Sequence, residues 1–168
     1  MSNVKFKGET IKITGNGPEV GEVASNFSFV KDDLSEGKLY DFEGKSKVII
    51  AFPSIDTGVC QAEARKFNEK LNGKGDVVGL IVARDLPFAM KRFCSAEGLD
   101  TIVNASDFRY NDFADKYNLL MDSGPLKGLF TRAVLVVDKN NKVVYKEIVE
   151  EVTEEPDYAA AMNAVESL

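Results

Sequence analysis

Two short apolar runs constrain the fold of this chain most strongly. Lys47–Phe52 and Asp76–Arg84 are mostly apolar and contain several β-branched residues, which is typical of strands buried inside a sheet. Between them, from about Gly58 to Asn72, the apolar residues recur at the three- and four-residue spacing of a helix: Cys60, Ala64, Phe67 and Leu71. Buried strands that alternate with a helix predict an α/β fold.

The rest of the chain continues this alternation. Pro87 suits the first turn of a helix that runs to about Glu97, and Gly98 is a good C-terminal stop for it. The other predicted elements are an apolar run at Phe27–Val30, a short strand near Thr101–Asn104, a helix near Asn111–Tyr117, a hairpin of Ala133–Val137 with Lys142–Val149, and a last helix from after Pro156 to near Leu168. This order predicts a mixed central sheet flanked by helices.

The N-terminal region predicts a β-hairpin. Apolar and polar residues alternate over Thr10–Thr14, the period of a half-buried strand. A turn is expected at Gly15–Pro18, and a second short strand could follow before Ala24.

Composition limits the chemistry available to the chain. A length of 168 residues fits a single domain spanning residues 1–168. The net charge of −6 argues against a nucleic-acid partner. The sequence contains no histidine, which excludes His-ligated zinc, Ser–His and Cys–His catalytic pairs, and histidine general bases.

The sequence also predicts a cytoplasmic protein with reduced thiols. The N-terminus has no apolar signal core, and no apolar run approaches the ~18 residues of a membrane span. The two cysteines, Cys60 and Cys94, are too few for a secreted disulfide scaffold or for a four-thiolate metal site.

Cys60 is the strongest candidate for a reactive residue. The strand Lys47–Phe52 stops at Pro53, a short loop follows, and Cys60 lies where the next helix begins. The partial positive charge and free N–H groups of a helix N-terminus stabilise a thiolate, and the Thr57 hydroxyl could lie beside the sulfur. The alternative is that Cys60 is a buried apolar residue and Thr57 an N-cap, and the local sequence leaves both interpretations open.

Cys94 and Arg132 are weaker candidates from position alone. Cys94 lies on the predicted helix after Pro87, where a core thiol is the simpler interpretation. Arg132 opens an apolar strand, so its charge needs a fixed partner. A thiolate or a transition-state oxygen is one candidate for this partner of Arg132, and position alone favours a surface carboxylate.

Four glutamates near the C-terminus are expected to form a solvated face: Glu150, Glu151, Glu154 and Glu155.

These residues also carry a family resemblance. Pro53, Thr57 and Cys60 match the Pro-x-x-x-Thr-x-x-Cys motif of the peroxiredoxins. Further segments resemble the thiol peroxidase subfamily, and together they span essentially the whole chain: Ser54–Thr57, Arg92–Cys94, Ala96–Leu99, Gly124–Leu129 and Glu155–Tyr158. One position varies, since many peroxiredoxins carry proline where this chain has Gly58, and glycine leaves that loop freer.

The resemblance implies a thioredoxin-like fold with an N-terminal β-hairpin. It implies that Cys60 is the peroxidatic thiol and Cys94 the resolving thiol, that Thr57 and Arg132 complete the peroxide site, and that Pro53 shields the sulfur. It also implies a homodimer, reduction by thioredoxin, and a preference for organic hydroperoxides. No metal or organic cofactor is expected.

The leading hypothesis is therefore a thiol-dependent peroxidase, an antioxidant oxidoreductase that passes through a Cys60 sulfenic acid and a Cys60–Cys94 disulfide. The alternative is a redox-sensing interaction module, which is oxidised by peroxide but does not turn over. A weaker possibility is a thioredoxin-like structural domain whose cysteines are inert.

Overall fold

The computed structural model describes residues 2–168. The strands are β1 (Asn3–Phe6), β2 (Glu9–Lys12), β3 (Ser28–Val30), β4 (Glu36–Lys38), β5 (Ser46–Ala51), β6 (Val77–Ala83), β7 (Ile102–Ser106), β8 (Ala133–Val137) and β9 (Val143–Ile148). The α-helices are α1 (Gly58–Leu71), α2 (Pro87–Glu97), α3 (Asp112–Tyr117) and α4 (Tyr158–Glu166), and a 3-10 turn spans Leu39–Phe42.

A mixed sheet forms the centre of the molecule. Within residues 2–168, seven strands are arranged in the order β4-β3-β7-β6-β5-β8-β9. β5, β6 and β7 are parallel, and the remaining neighbours pair antiparallel. The predicted mixed sheet is confirmed, and the polar strand β4 is the element that the apolar pattern did not reveal.

Alternate residues of the central strands enter two different cores, as the period of a strand requires. Ile49 and Ala51 of β5 join an aromatic cluster on the α3 side, whereas Val48 and Ile50 join a cluster with α1, α2 and α4. Both cysteines belong to this second cluster. The three longer helices therefore cover the face of the sheet on which the candidate site lies.

Most predicted element bounds are confirmed to within two residues. α1 covers the predicted Gly58–Asn72 almost completely, and α2 has the predicted limits. Gly98 ends α2 in the left-handed conformation with φ 67°, where glycine is favoured. In the described part of the chain, no helix is both long enough and apolar enough to cross a membrane.

The N-terminal hairpin exists, but its predicted pairing is wrong. β2 pairs with β1, which precedes it, and Lys7 and Gly8 form the turn with φ 52° and 84°. Two successive positive φ angles allow a two-residue hairpin turn, and this needs no Gly-Pro sequence. The expected turn at Gly15–Pro18 is irregular loop. The segment before Ala24 forms an isolated antiparallel bridge between Val23 and Lys142, the residue before β9.

Candidate active site

Cys60 lies in the first turn of α1, at the end of the loop that leaves the central strand β5. Thr57 is the N-cap of α1: its hydroxyl accepts a 3.4 Å hydrogen bond from the Cys60 backbone N–H and donates to the Ser54 carbonyl at 3.1 Å. Pro53 is buried in the same loop and is separated from the end of β5 by Phe52. The loop therefore places Cys60 in the first turn of α1, where the partial positive charge of the helix N-terminus lies.

Asp85, just after β6, holds this loop in place. Its carboxylate accepts from the Ser54 hydroxyl at 2.7 Å and from the Ile55 backbone N–H at 2.8 Å. Burial raises the pKa of Asp85, and the two hydrogen bonds oppose that shift. Two adjacent strand ends are thereby tied together next to Cys60.

Arg132 brings its charge to the Cys60 sulfur from the other side. Both residues are buried, with Cys60 0% and Arg132 2% exposed. The Arg132 Nη1 atom lies 3.4 Å from Cys60 Sγ and 2.7 Å from Glu63 Oε1. The Nε and Nη2 atoms of Arg132 donate to the Val152 carbonyl at 3.0 and 2.8 Å. The carboxylate partner of Arg132 is thus buried rather than at the surface, and the thiol is a partner as well.

Charge and burial compete within this cluster. Burial acts to lower the pKa of Arg132, but the neighbouring Cys60 and Glu63 outweigh it, so the pKa is raised. Burial raises the pKa of Glu63 to about 7, against the opposing effect of Arg132. The second carboxylate oxygen, Glu63 Oε2, is buried without a hydrogen-bond partner, which agrees with a raised pKa for Glu63. Arg132 therefore stays charged beside the thiol.

Cys94 has a different environment. It is 5% exposed on α2, and both polar atoms of the Asn104 amide lie near its sulfur, Nδ2 at 3.3 Å and Oδ1 at 3.5 Å. The same Nδ2 donates to the Asp32 carboxylate at 3.0 Å. Burial raises the pKa of the Cys94 thiol. This thiol is therefore held in its neutral form.

The two thiols are free, and each is held on its own helix. Between α1 and α2, Arg65 forms a 2.6 Å ion pair with Glu97 and lies over the Phe93 ring. A second ion pair, of 3.4 Å, joins Arg92 of α2 to Asp56 in the loop before α1. These exposed contacts lie at the edge of the hydrophobic cluster in which α1 and α2 pack together.

Comparison with known proteins shows which family the chain belongs to. Residues 19–162 match the family model described as Redoxin. A thiol peroxidase of Streptococcus agalactiae is 47% identical over 163 residues, covering 97% of this chain and 98% of that protein. The chain belongs to the thiol peroxidases of the redoxin family. A thiol peroxidase of Leptospira interrogans is 46% identical over 166 residues, covering 98% of this chain and 97% of that protein.

A solved structure supports the fold. The crystal structure of a peroxiredoxin-like protein from Aquifex aeolicus superposes with a TM-score of 0.93 at 41% identity, covering 98% of this chain and 96% of that one. The thioredoxin-like fold with an N-terminal hairpin is thus confirmed. As a thiol peroxidase, the chain is an oxidoreductase that reduces peroxides.

Sequence reasoning missed three side chains of this thiol peroxidase site: Glu63, Asp85 and Asn104. Glu63 left a signal, because it lies three residues after Cys60 on the apolar stripe of α1, where a carboxylate needs a buried partner. Asp85 and Asn104 gave no such signal in the sequence. Asp85 follows an ordinary strand sequence, and Asn104 lies within one. Among residues 2–168, no cluster of Cys, Asp or Glu is arranged to bind a metal ion.

Proposed function

We propose that Cys60 is the peroxidatic cysteine of this thiol peroxidase and that it acts as a thiolate stabilised by Arg132 and the α1 N-terminus. The observation that carries the proposal is the 3.4 Å approach of Arg132 Nη1 to a fully buried sulfur at the start of a helix. A cation and a helix N-terminus both favour the thiolate, which is the nucleophilic form.

In the first step, the Cys60 thiolate attacks one oxygen of a hydroperoxide. A sulfur–oxygen bond forms, the oxygen–oxygen bond breaks, and the other oxygen leaves as alkoxide or hydroxide, which takes up a proton to become alcohol or water. Cys60 is oxidised to a sulfenic acid while the peroxide is reduced. Arg132 stabilises the charge that develops on the breaking bond, and Pro53 shields the sulfur from water. The Thr57 hydroxyl adds to this stabilisation when its proton turns from the Ser54 carbonyl to the peroxide oxygen.

In the second step, Cys94 resolves the sulfenic acid. Its thiol condenses with Cys60–SOH, a disulfide forms, and one water molecule leaves. Cys94 is buried and bonded to Asn104, so we expect part of α2 to unfold locally before the sulfurs meet. The ion pair between Arg65 and Glu97 must then open.

The cycle closes by thiol–disulfide exchange. We propose thioredoxin as the dithiol reductant, hydrogen peroxide and organic hydroperoxides as substrates, and catalysis without metal or organic cofactor by a single domain, residues 1–168. We also propose a homodimer in the cytoplasm, where thiols stay reduced between turnovers. The similarity to the thiol peroxidases supports hydroperoxides as the substrates.

One measurement tests the assignment of both cysteines. The reduced protein is treated with one equivalent of an organic hydroperoxide, and its intact mass is taken without reductant. We expect the monomer to lose about two hydrogens and a peptide map to join Cys60 to Cys94. An unchanged mass would mean that Cys60 is not activated.

Turnover then separates an enzyme from a sensor. With thioredoxin, its reductase and NADPH, the wild-type chain should consume peroxide continuously, whereas a sensor would react once and stop. A Cys60→Ser variant that still turned over peroxide in this system would refute the role of Cys60.

A further inference from the structure

The N-terminal hairpin lies outside the central sheet and is fastened to the segment that follows β9. The Lys5 backbone N–H donates to the Glu150 carbonyl at 2.7 Å, and the Val152 N–H donates to the Lys5 carbonyl at 2.8 Å. β1 thus runs parallel to residues 150–152. The hairpin and residues 150–152 therefore hold each other in position.

The Glu151 carboxylate closes this junction. It accepts from four donors: the backbone N–H groups of Gly8 at 2.8 Å, Lys7 at 3.2 Å and Thr153 at 3.1 Å, and the Thr153 hydroxyl at 2.9 Å. The hydrogen bond from the Thr153 N–H, followed by that from Gly8, lowers the pKa of Glu151 to about 2. Glu151 lies on the partly exposed surface that the sequence predicts, and its carboxylate is in addition a structural acceptor.

The residue inside this junction is Val152. Its side chain is 2% exposed and belongs to the small core of the hairpin, with Val4, Ile11, Ile13 and Met121. Its carbonyl is the acceptor for Nε and Nη2 of Arg132. The carbonyl that orients the active-site arginine is therefore held by the hairpin on one side and by Glu151 on the other.

The orientation of Arg132 matters because its Nη1 serves two acceptors. A guanidinium is a rigid planar fork, so fixing Nε and Nη2 on one carbonyl fixes the direction of Nη1. If the Val152 carbonyl moved, Arg132 could turn toward the unpartnered Glu63 Oε2 and form a two-bond pair with that carboxylate. Such a pair would draw the guanidinium away from the Cys60 sulfur, which is the weaker acceptor.

We propose that Glu151 is a positioning residue for the Cys60 thiolate. By fastening the hairpin turn to residues 150–153, it fixes the Val152 carbonyl and, through that carbonyl, the guanidinium of Arg132 against Cys60. The inference rests on the proposed function, because it assumes that Arg132 acts on Cys60.

The test measures the rate at which iodoacetamide alkylates Cys60 in a Cys94→Ser chain, at a temperature where circular dichroism shows every variant to be folded. We expect Glu151→Ala to slow alkylation about tenfold, since small displacements of an activating group have large kinetic effects. Glu151→Asp should recover part of the rate. The matched control is Glu150→Ala, because the Glu150 side chain is 81% exposed and makes only a 3.6 Å ion pair with Lys5; its rate should equal that of the parent.

A double-mutant cycle separates positioning from a general loss of structure. Lysine at position 132 keeps a charge beside Glu63 but cannot span the Val152 carbonyl and Cys60 as a fork, so Glu151→Ala should have no further effect in an Arg132→Lys chain. If Arg132→Lys does not fold, the pair Arg132→Lys and Glu63→Gln takes its place. Equal slowing in both backgrounds, or no slowing by Glu151→Ala alone, would overturn the inference.

The same variants are then oxidised with peroxide. Alkylation needs no peroxide chemistry, so the two proposals can fail separately. A parent chain that alkylates quickly but does not react with peroxide would refute the proposed function and leave the alkylation cycle to decide the role of Glu151.

Discussion

The two cysteines share one hydrophobic cluster and are both buried, yet their polar neighbours have opposite character. Cys60 faces the guanidinium of Arg132 at 3.4 Å, whereas Cys94 faces the Asn104 amide, which is bonded to the Asp32 carboxylate. A cation favours a thiolate, and a nearby carboxylate with burial favours a neutral thiol. Burial alone therefore says little about the reactivity of a cysteine, and under the proposed function the adjacent charge is what makes Cys60 the attacking thiol.

The largest effect expected from this contrast comes from exchanging each thiol for a hydroxyl. Cys60→Ser should lower peroxide consumption to background. Cys94→Ser should still be oxidised at the parental rate but stop at a sulfenic acid, seen as a mass gain of one oxygen with one equivalent of peroxide. If Cys94→Ser instead blocked the first oxidation, the division of roles between the two sites would be wrong.

The next largest effect should follow from removing the cation at Cys60. Arg132→Met would leave Glu63 buried without a partner, at a cost of about 3–5 kcal/mol, so the test uses Arg132→Met with Glu63→Gln. We expect oxidation of Cys60 to slow roughly 100- to 1,000-fold in stopped-flow measurements, the range found when a preorganised donor is lost.

A matched control uses another arginine. Arg109→Met removes an exposed side chain that pairs with Glu36 at 3.2 Å, and it should leave the oxidation rate unchanged. Equal rates for the Arg132 double variant and this control would show that the cation does not distinguish Cys60 from Cys94.

The buried carboxylate at the Cys60 site should show itself as a pH dependence of stability. Because burial raises the folded-state pKa of Glu63 to about 7 from 4.5, the folded protein binds more protons than the unfolded chain between these values. Its free energy of unfolding should therefore fall as pH rises from 4.5 through about 7. Glu63→Gln removes this loss, so its stability relative to the wild-type chain should increase over the same interval in urea titrations.

The control for this prediction is Glu69→Gln on the same helix, whose side chain is exposed. Its stability relative to the wild-type chain should not change with pH over this interval. A flat difference for Glu63→Gln as well would mean that Arg132 fully compensates the buried carboxylate.

A smaller effect is expected at the Cys94 site. The contacts of the Asn104 amide with the Cys94 sulfur exist only while α2 is in place, so Asn104→Leu should favour the locally unfolded state. Loss of hydrogen bonds of ordinary net strength would speed disulfide formation roughly three- to tenfold and reduce overoxidation of Cys60 by excess peroxide. The rate is followed by rapid quench and mass analysis.

Asn140→Ala serves as the control, because Asn140 lies in the turn between β8 and β9. It should leave the rate of disulfide formation unchanged. Slower disulfide formation in Asn104→Leu would mean that the amide activates the Cys94 thiol rather than restraining it.

The smallest effect should come from the ion pair that joins the two helices. Arg65 and Glu97 are 45% and 36% exposed, so water screens their attraction. Glu97→Ala should speed disulfide formation by less than about fivefold, because exposed pairs contribute about 1 kcal/mol or less. Arg65→Ala should do somewhat more, since it also removes the contact with the Phe93 ring. A large effect of Glu97→Ala would show that this pair, and not the Asn104 contacts, restrains α2.

The central alternation of strands and helices could be predicted from the sequence, because local patterns specify it. Lys47–Phe52 and Asp76–Arg84 were recognisable as buried strands from their β-branched residues, and Gly98 as the end of α2 from the conformation that only glycine adopts easily. The start of α1 near Cys60 followed in the same way, since Thr57 and the loop after Pro53 mark a helix N-terminus.

Pairing was less predictable where local signals were weak. β4 has no apolar side chain and β1 is only four residues long, and the Gly-Pro sequence at 15–18 suggested a hairpin turn that Lys7 and Gly8 form instead. Hairpin register depends on which apolar side chains meet across the turn, here Val4 and Ile11, and that choice involves the core they enter.

The sequence by itself determined that a cysteine would lie at a helix N-terminus behind a central strand, because that placement needs only neighbours in the chain. The tertiary structure alone decided which charge meets each sulfur. Arg132 reaches Cys60 across 72 residues of sequence, and the Val152 carbonyl that aims it is held by the hairpin at the opposite end of the chain. Local propensity carries no information on such contacts, since they form only when separate elements pack against the same sheet.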